Sequence, residues 1–274
     1  MKYPVTPAVL VQVPGFQLSE IDPEADAPFK HITDKDDAEE RLAKLRPRLA
    51  ELQENLYAEH RRSLLLVFQA LDTGGKDGAI EKLLTGMNPA GISVAAFKAP
   101  SAEELSHDFL WRIHAQTPQR GHIGVFNRSH YEDVLVTRVH KLIDEPTWTA
   151  RYQHINQFED LLAANGTRIL KFFLHISKKE QAERLQARLD DPAKRWKFDP
   201  NDLKERALWD QYQAAFQDAL AHCSTEAAPW FVIPANKKWV RDAAIMEIVV
   251  AVLEEMNPVP PTIKFDVSEI VIKE

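Results

Sequence analysis

An α/β fold with a parallel central sheet is predicted by three observations. Residues 63–82 read as strand, glycine-rich turn and helix. Further apolar, strand-like runs lie at 92–97, 123–126, 168–176 and 230–234, each trailed by a segment of helical periodicity. No linker of domain-boundary composition and no internal repeat interrupts that alternation. Repeated strand-then-helix order argues for parallel strands with helices on both faces.

The chain is organised around the first of these segments. Leu64 to Ala70 is apolar except for Gln69, the pattern of a strand buried on both sides. The turn Asp72-Thr73-Gly74-Gly75-Lys76-Asp77-Gly78 follows, and Ala79, Ile80, Leu83 and Leu84 open a helix. Such a turn is a phosphate cradle. Glycines admit close backbone N–H groups, the helix N-terminus adds positive potential, and the lysine adds a mobile cation. Against the P-loop spacing G-x-x-x-x-G-K-[ST], Ala70 replaces the first glycine and Asp77 the hydroxyl residue. The usual Mg²⁺ ligand is therefore missing, and Asp72 could replace it or orient an attacking phosphate. An ordinary βα turn whose glycines only permit positive φ is the alternative.

Composition narrows the class. With 274 residues and 45% apolar content, the chain can bury a sizeable core. A net charge of −7 excludes a generally basic, nucleic-acid-binding or membrane-binding surface. The single cysteine, Cys223, rules out an intrachain disulfide and reads as a structural thiol. No apolar run reaches transmembrane length and the N-terminus lacks a signal-peptide layout, so the expectation is a soluble cytoplasmic protein.

In chain order, residues 1–35 are rich in proline and acids and read as an extended arm over the body or a partner subunit. Leu42, Leu45, Leu49, Leu52 and Leu56 mark an amphipathic helix over 36–60. After the strand and loop, 92–97 is a second strand, followed by Lys98. A capping box, Ser101 to Glu104, starts a helix expected to bury Leu105, Phe109, Leu110 and Ile113. The third strand runs into Asn127, Arg128, Ser129, His130, Tyr131, Glu132 and Asp133. Residues 147–165 form a helix stopped by Gly166, and 168–176 a fourth strand. Residues 178–189 are a charged helix, 190–199 a basic-aromatic loop, and 201–222 one long helix facing Leu203, Leu208, Tyr212 and Phe216 inward. A fifth strand, a helix over 239–256 and an extended tail from 259 complete the chain. The body, 36–258, is expected to be a single domain.

Ligands of open parallel sheets sit at the carboxyl ends of the strands. That rule selects 72–76, Lys98, 127–133 and 177–179. Arg128 is placed to bind phosphate bidentately, or to make a structural ion pair. Glu132 and Asp133 supply carboxylates near the loop, or are acids favoured by a helix N-terminus. Between 178 and 206, Arg184, Arg188, Lys194, Arg195 and Lys197 gather cations where a kinase-like sheet carries its lid; a solvated charged helix is the alternative.

The runs ALDTGGKDGAIEKL, FKAPSAEELSHDFLWRIH, VFNRSHYEDVLVTRVH, HISKKEQAERLQARLDDPAKRWKF and PWFVIPANKKWVRD resemble the polyphosphate kinase 2 family in consistent order over 36–258. Asn127 in place of the usual strand-end Asp, with Glu132-Asp133 after it, is similar to its class III branch. The resemblance implies a three-layer α/β/α P-loop kinase fold of the thymidylate-kinase type with a helical lid. It implies Mg²⁺-dependent (or Mn²⁺-dependent), reversible transfer of the terminal phosphoryl group of inorganic polyphosphate to adenine nucleotides, with guanine nucleotides a second candidate. AMP would pass through ADP to ATP. Carried onto this sequence, Asp72, Lys76 and Arg128 are catalytic. Gly74, Gly75, Lys76, Asp77, Gly78, Lys98, Arg112, Arg184, Arg188, Lys194 and Arg195 bind phosphate. Asn127, Arg128, Tyr131, Glu132 and Asp133 bind nucleotide, and Asp72, Glu132 and Asp133 hold the metal. A homo-oligomer, a tetramer, is the implied assembly. An ATP-dependent nucleoside or nucleotide kinase of the same fold, and an inactive nucleotide-binding scaffold, are the competing readings.

Overall fold

The computed structural model describes residues 11, 15–25, 32–267 and 270–272. Five parallel strands form its sheet: β1 (Ser63–Gln69), β2 (Ile92–Ala96), β3 (Ile123–Asn127), β4 (Thr167–His175) and β5 (Trp230–Pro234), in the order β2-β3-β1-β4-β5. Every residue of β1 is buried, as its unbroken apolar run requires of a central strand. β1 pairs with β3 from Leu64↔Ile123 and with β4 from Ser63↔Thr167. Leu64, Leu66 and Phe68 are wholly buried; each such side chain stabilises the fold by about 1.5–3 kcal/mol relative to exposure. β2 is the outermost strand on its side and stays partly exposed.

Helices cover both faces. On one face, α1 (Lys35–Glu59) packs on α10 (Lys238–Met256), which also meets α2 (Lys76–Leu84). The leucine stripe of α1 is the buried side of that contact, and Arg41–Glu247 and Arg48–Glu254 ion pairs flank it. Asp34 caps α1 by accepting from the Asp37 amide. On the other face, α5 (Glu132–Val139), α6 (Glu145–Ala164) and α9 (Trp209–Cys223) pack on one another. The result is the three-layer α/β/α arrangement. Among the described residues no helix is long and apolar enough to cross a membrane.

Two expected helices are broken. The capping box is present, but the helix it opens stops after one turn, as α3 (Ala102–Leu105), and resumes as α4 (Trp111–His114). Between them the Asp108 carboxylate accepts from the Leu110 amide, and the Ser106 hydroxyl donates to the Glu103 carbonyl. Such side chains compete with the helical ladder. Leu105, expected inward, is 69% exposed, whereas Ile113 is buried. The expected long helix 201–222 divides at Leu208 into α8 (Asn201–Ala207) and α9. Leu203 faces solvent, while Tyr212 and Phe216 are buried as expected.

The described part of the N-terminal arm lies against its own body. Val11 N–H donates to the Trp230 carbonyl, Leu18 N–H to Gln217 Oε1, and Asn236 N–H to the Pro23 carbonyl. The rest of the arm (1–10, 12–14 and 26–31) lies outside the described residues, as do 268–269 and 273–274 of the tail.

Candidate active site

The turn after β1 is tied to the body through its carbonyl groups. From α7 (Lys178–Asp190), Gln181 Nε2 donates to the Asp72 carbonyl and Arg184 Nη1 to that of Thr73, and Arg241 Nη1 on α10 donates to that of Gly75. In a trans peptide the N–H points opposite the C=O, so the Thr73 and Lys76 amides point away from these anchors. Gly75 has φ +92°, and a Cβ there would lie 2.4 Å from Arg241 Nη1. Gly74 is required for space: its Cβ would lie 2.4 Å from the Ala70 Cβ and 2.8 Å from the Leu71 carbonyl. Ala70, which replaces the first glycine of the motif, therefore packs where Gly74 has no side chain.

Lys76 begins α2 and folds back to donate to the Ala70 carbonyl at 3.0 Å. Burial, and then the neighbouring Arg128 charge, pull its ammonium pKa below the ordinary value, against Asp72, Glu132 and Asp77. Arg128 follows β3 in the left-handed region, φ 63°. Its guanidinium lies 3.1 Å from Asp72 and 4.0 Å from Glu132, so one cation bridges the loop acid and the helix acid. Burial holds the Glu132 carboxyl above its usual range, opposed by Arg128 and Lys76.

Two cavities meet at Asp72, Arg128 and Asp202. The larger, about 750 Å³, is floored by the turn 72–78 and walled by Lys98, Asn127, Arg184, Arg188, Lys194, Lys197, Lys238 and Arg241. The smaller, about 290 Å³, has a mixed wall. Leu135, Val136, Trp209, Tyr212 and Phe216 supply its apolar side, and Glu132, His140, Asp202 and Glu205 its polar side. The break between α8 and α9 shapes it: α8 lines it with Asn201, Asp202, Glu205 and Arg206, and α9 with Trp209, Tyr212 and Phe216. Glu205 on α8 accepts from Tyr212 OH on α9 at 2.7 Å and lies 2.9 Å from His140.

Gly74, Gly75, Asp77, Gly78, Lys98, Asn127, Arg184, Arg188 and Lys194 all line the larger cavity, with Asn127 donating to Asp77 at 2.7 Å. Glu132 lines the smaller cavity, and four expected site residues line neither. Tyr131 is fully buried beneath the turn, its hydroxyl donating to Glu159 and accepting from Lys171. Asp133 turns away to Arg151 and Arg112, at 3.5 and 3.8 Å. Arg112 is 7% exposed, held by Asp133, Glu104 and the Lys98 carbonyl. Arg195 bonds the Leu189 carbonyl and lines neither cavity. Conversely, Lys238 and Arg241 went unselected in the sequence, although they follow the carboxyl end of β5. Applying the strand-end rule to the fifth strand as to the others finds them.

The sheet order, the loop and the cationic cleft at the strand ends define a P-loop kinase-type phosphotransferase. The model of one family, polyphosphate kinase 2, matches residues 32–260, and the chain belongs to that family. It is 53% identical over 239 residues to the AMP/ADP-polyphosphate phosphotransferase of Meiothermus ruber, covering 87% of this chain and 89% of that one. It is 46% identical over 222 residues to the ADP-polyphosphate phosphotransferase of Rhodopseudomonas palustris, covering 77% of each. The crystal structure of polyphosphate kinase 2 from Arthrobacter aurescens TC1 superposes with a TM-score of 0.93 at 45% identity, covering 98% of this chain and 96% of that one.

Proposed function

We propose that the protein transfers the terminal phosphoryl group of polyphosphate to nucleoside mono- and diphosphates. One observation carries the reading: a cationic cleft and a half-apolar pocket share Asp72, Arg128 and Asp202 as their common wall. The cleft suits a polyanion and the pocket a nucleoside, so transfer takes place at the boundary. The name of the Meiothermus ruber relative supports both acceptors.

No protein nucleophile is required, because the acceptor phosphate attacks in line. The chain contributes positioning and neutralisation of charge. Lys76 and the loop amides hold the phosphate nearest the reacting phosphorus. Arg128, pinned between Asp72 and Glu132, spans both cavities and neutralises the charge that develops between donor and acceptor. Arg184 and Arg241 keep the loop rigid through its carbonyls. Glu205 and Asp202 on α8 close the acceptor pocket and exclude water.

The residues fit Mg²⁺. Asp72 and Glu132 are hard oxygen donors on either side of Arg128, and the buried Gln69 Oε1, on the last residue of β1, has no partner. Among the described residues no three His, Cys, Asp or Glu side chains cluster to hold a metal alone. One or two carboxylates with substrate phosphates is how Mg²⁺ is usually held. Asp72 and Glu132 would hold it, and it would supply Lewis-acid neutralisation of the phosphate oxygens.

The test is ATP formation with Mg²⁺ and long-chain polyphosphate as the only donor, supplying AMP and ADP separately. ATP from both is expected. ATP from ADP alone refutes the monophosphate reading, and no product from either moves the donor to a nucleotide. A homo-oligomer is also proposed, from the family resemblance. Light scattering of the full chain and of one lacking residues 1–35 tests it, and unchanged assembly would remove the arm from the interface.

A further inference from the structure

The turn between β3 and α5 carries the guanidinium at the centre of the site, yet its next three residues face away from the cleft. Ser129, His130 and Tyr131 are all buried. His130 Nε2 lies 3.1 Å from Glu159 Oε1 on α6, and Tyr131 OH donates to the same oxygen at 2.9 Å. Lys171, in the middle of β4, donates to Glu159 Oε2, to Tyr131 OH at 2.7 Å and to the Cys223 carbonyl at 2.6 Å. All three of its N–H donors are therefore used. Lys171 and Glu159 are at most 1% exposed and line neither cavity.

A buried ion pair is weak evidence of stabilisation, because desolvation offsets its attraction and apolar residues of similar volume often do as well. What this pair touches is more telling. Arg128 has φ 63°, a conformation disfavoured for any residue with a Cβ and kept only when both flanks are fixed. On the upstream side β3 pairs with β1, and Arg128 N–H donates to the Phe68 carbonyl. Downstream the fixing is His130 and Tyr131 on Glu159, and Ser129 Oγ, which accepts from Gln69 and from the Tyr131 amide. Without Glu159 the His130 Nε2 loses its partner, and the Tyr131 hydroxyl keeps only Lys171, itself then an uncompensated buried cation, so the pair as a whole sets the depth that tips Arg128 toward Asp72.

We infer that Lys171 and Glu159 are positioning residues for the phosphoryl transfer. Through His130 and Tyr131 they hold the turn that aims Arg128, and Glu132 beyond it, into the cleft. The inference rests on the site reading above, in which Arg128 neutralises developing charge.

Two double variants separate positioning from folding. Lys171→Met with Glu159→Leu leaves no unpaired charge and removes the anchor. Lys171→Met with Glu159→Gln keeps an oxygen for Tyr131 and His130. The readouts are kcat and KM with ADP and polyphosphate, melting temperature, and the same substitutions in an Arg128→Ala background. The Leu variant is expected to melt as a folded protein and lose kcat by about 10–100-fold, as ångström-scale misplacement does. The Gln variant should recover most of that loss, and neither change should matter further once Arg128 is alanine. Wild-type kcat in the folded Leu variant, or an equal loss with and without Arg128, overturns the inference while leaving the site reading intact. Should the Leu variant not fold, Tyr131→Phe replaces it, deleting one hydroxyl and keeping the ring; unchanged kcat there overturns the inference. Full activity of Arg128→Ala alone strikes the site reading, and the inference with it.

Discussion

Gly74→Ala tests the loop directly. Its new Cβ would stand 2.4 Å from the Ala70 Cβ and 2.8 Å from the Leu71 carbonyl. Ordinary carbon–carbon contact is about 3.5–4.0 Å, so the loop must yield by about 1 Å. Both neighbours are close to the main chain, and neither can swing aside. Overpacking of this kind costs about 1–3 kcal/mol, or a Tm lower by roughly 2–12 °C in a chain of this size. Activity should suffer more, because the displaced atoms carry the phosphate cradle. A 1 Å misplacement costs about 100-fold in rate, equivalent to about 2.7 kcal/mol of transition-state stabilisation. The assay is steady-state ATP formation from ADP and polyphosphate, with calorimetry alongside. Ala70→Gly on top of Gly74→Ala removes the closer of the two clashes and restores the first glycine of the motif, so it should recover part of both losses. Wild-type kcat/KM and Tm in the single variant would refute the steric reasoning. An active-site defect with no recovery in the double variant would refute Ala70 as its cause.

Asp72→Asn keeps the shape of the loop acid and removes its charge, so kcat should fall by about 100-fold or more with the melting temperature little changed; turnover at the wild-type rate removes Asp72 from the mechanism. Burial and Arg128 lower the Lys76 pKa, so this lysine loses its proton at a lower pH than a free lysine. The alkaline fall of kcat/KM, which reports the free enzyme, should therefore begin below the ordinary lysine pKa and shift upward in Lys76→Arg; an identical limb in both proteins contradicts the assignment. Lys238→Glu places a negative charge in the wall of the larger cavity. It should raise KM for polyphosphate and weaken its dependence on salt, measured between low and physiological ionic strength. Arg112→Ala leaves Asp133 facing Arg151 alone and Glu104 with only the Ser101 amide. It should destabilise the fold by about 3 kcal/mol in chemical denaturation yet leave KM for polyphosphate unchanged; a raised KM would return Arg112 to the polymer path.

The sheet and its loop were legible because they depend on local pattern. Unbroken apolar runs marked the central strands, and glycines marked a turn that needs positive φ and a missing Cβ. Ser101 with Glu104 announced its cap and Asn127-Arg128 its strand end. The helix breaks at Ser106–Asp108 and Leu208 were harder to see. At the first, hydrogen-bonding side chains compete with the ladder without a proline or glycine to signal it. At the second, Glu205 bonds Tyr212 across the break and also His140, which lies far away in sequence.

The sequence by itself determined the parallel α/β frame, the place of the phosphate loop within it, and the identity of the residues that cluster at the strand ends. Tertiary structure decided which of those residues reach the cleft. Tyr131, Glu132 and Asp133 are consecutive at the start of a helix, and each helical residue turns about 100° from the last. Once Arg128 takes the left-handed conformation and Tyr131 drops onto Glu159, Glu132 alone of the three faces Arg128, and Asp133 is carried round to Arg112 and Arg151. The same holds at Arg195–Lys197, where Trp196 is 78% exposed and Lys197, not Arg195, lines the cleft. Composition places cations and carboxylates in a neighbourhood; the phase of a short helix, set by what its first residue is buried against, selects the ones that can touch a substrate.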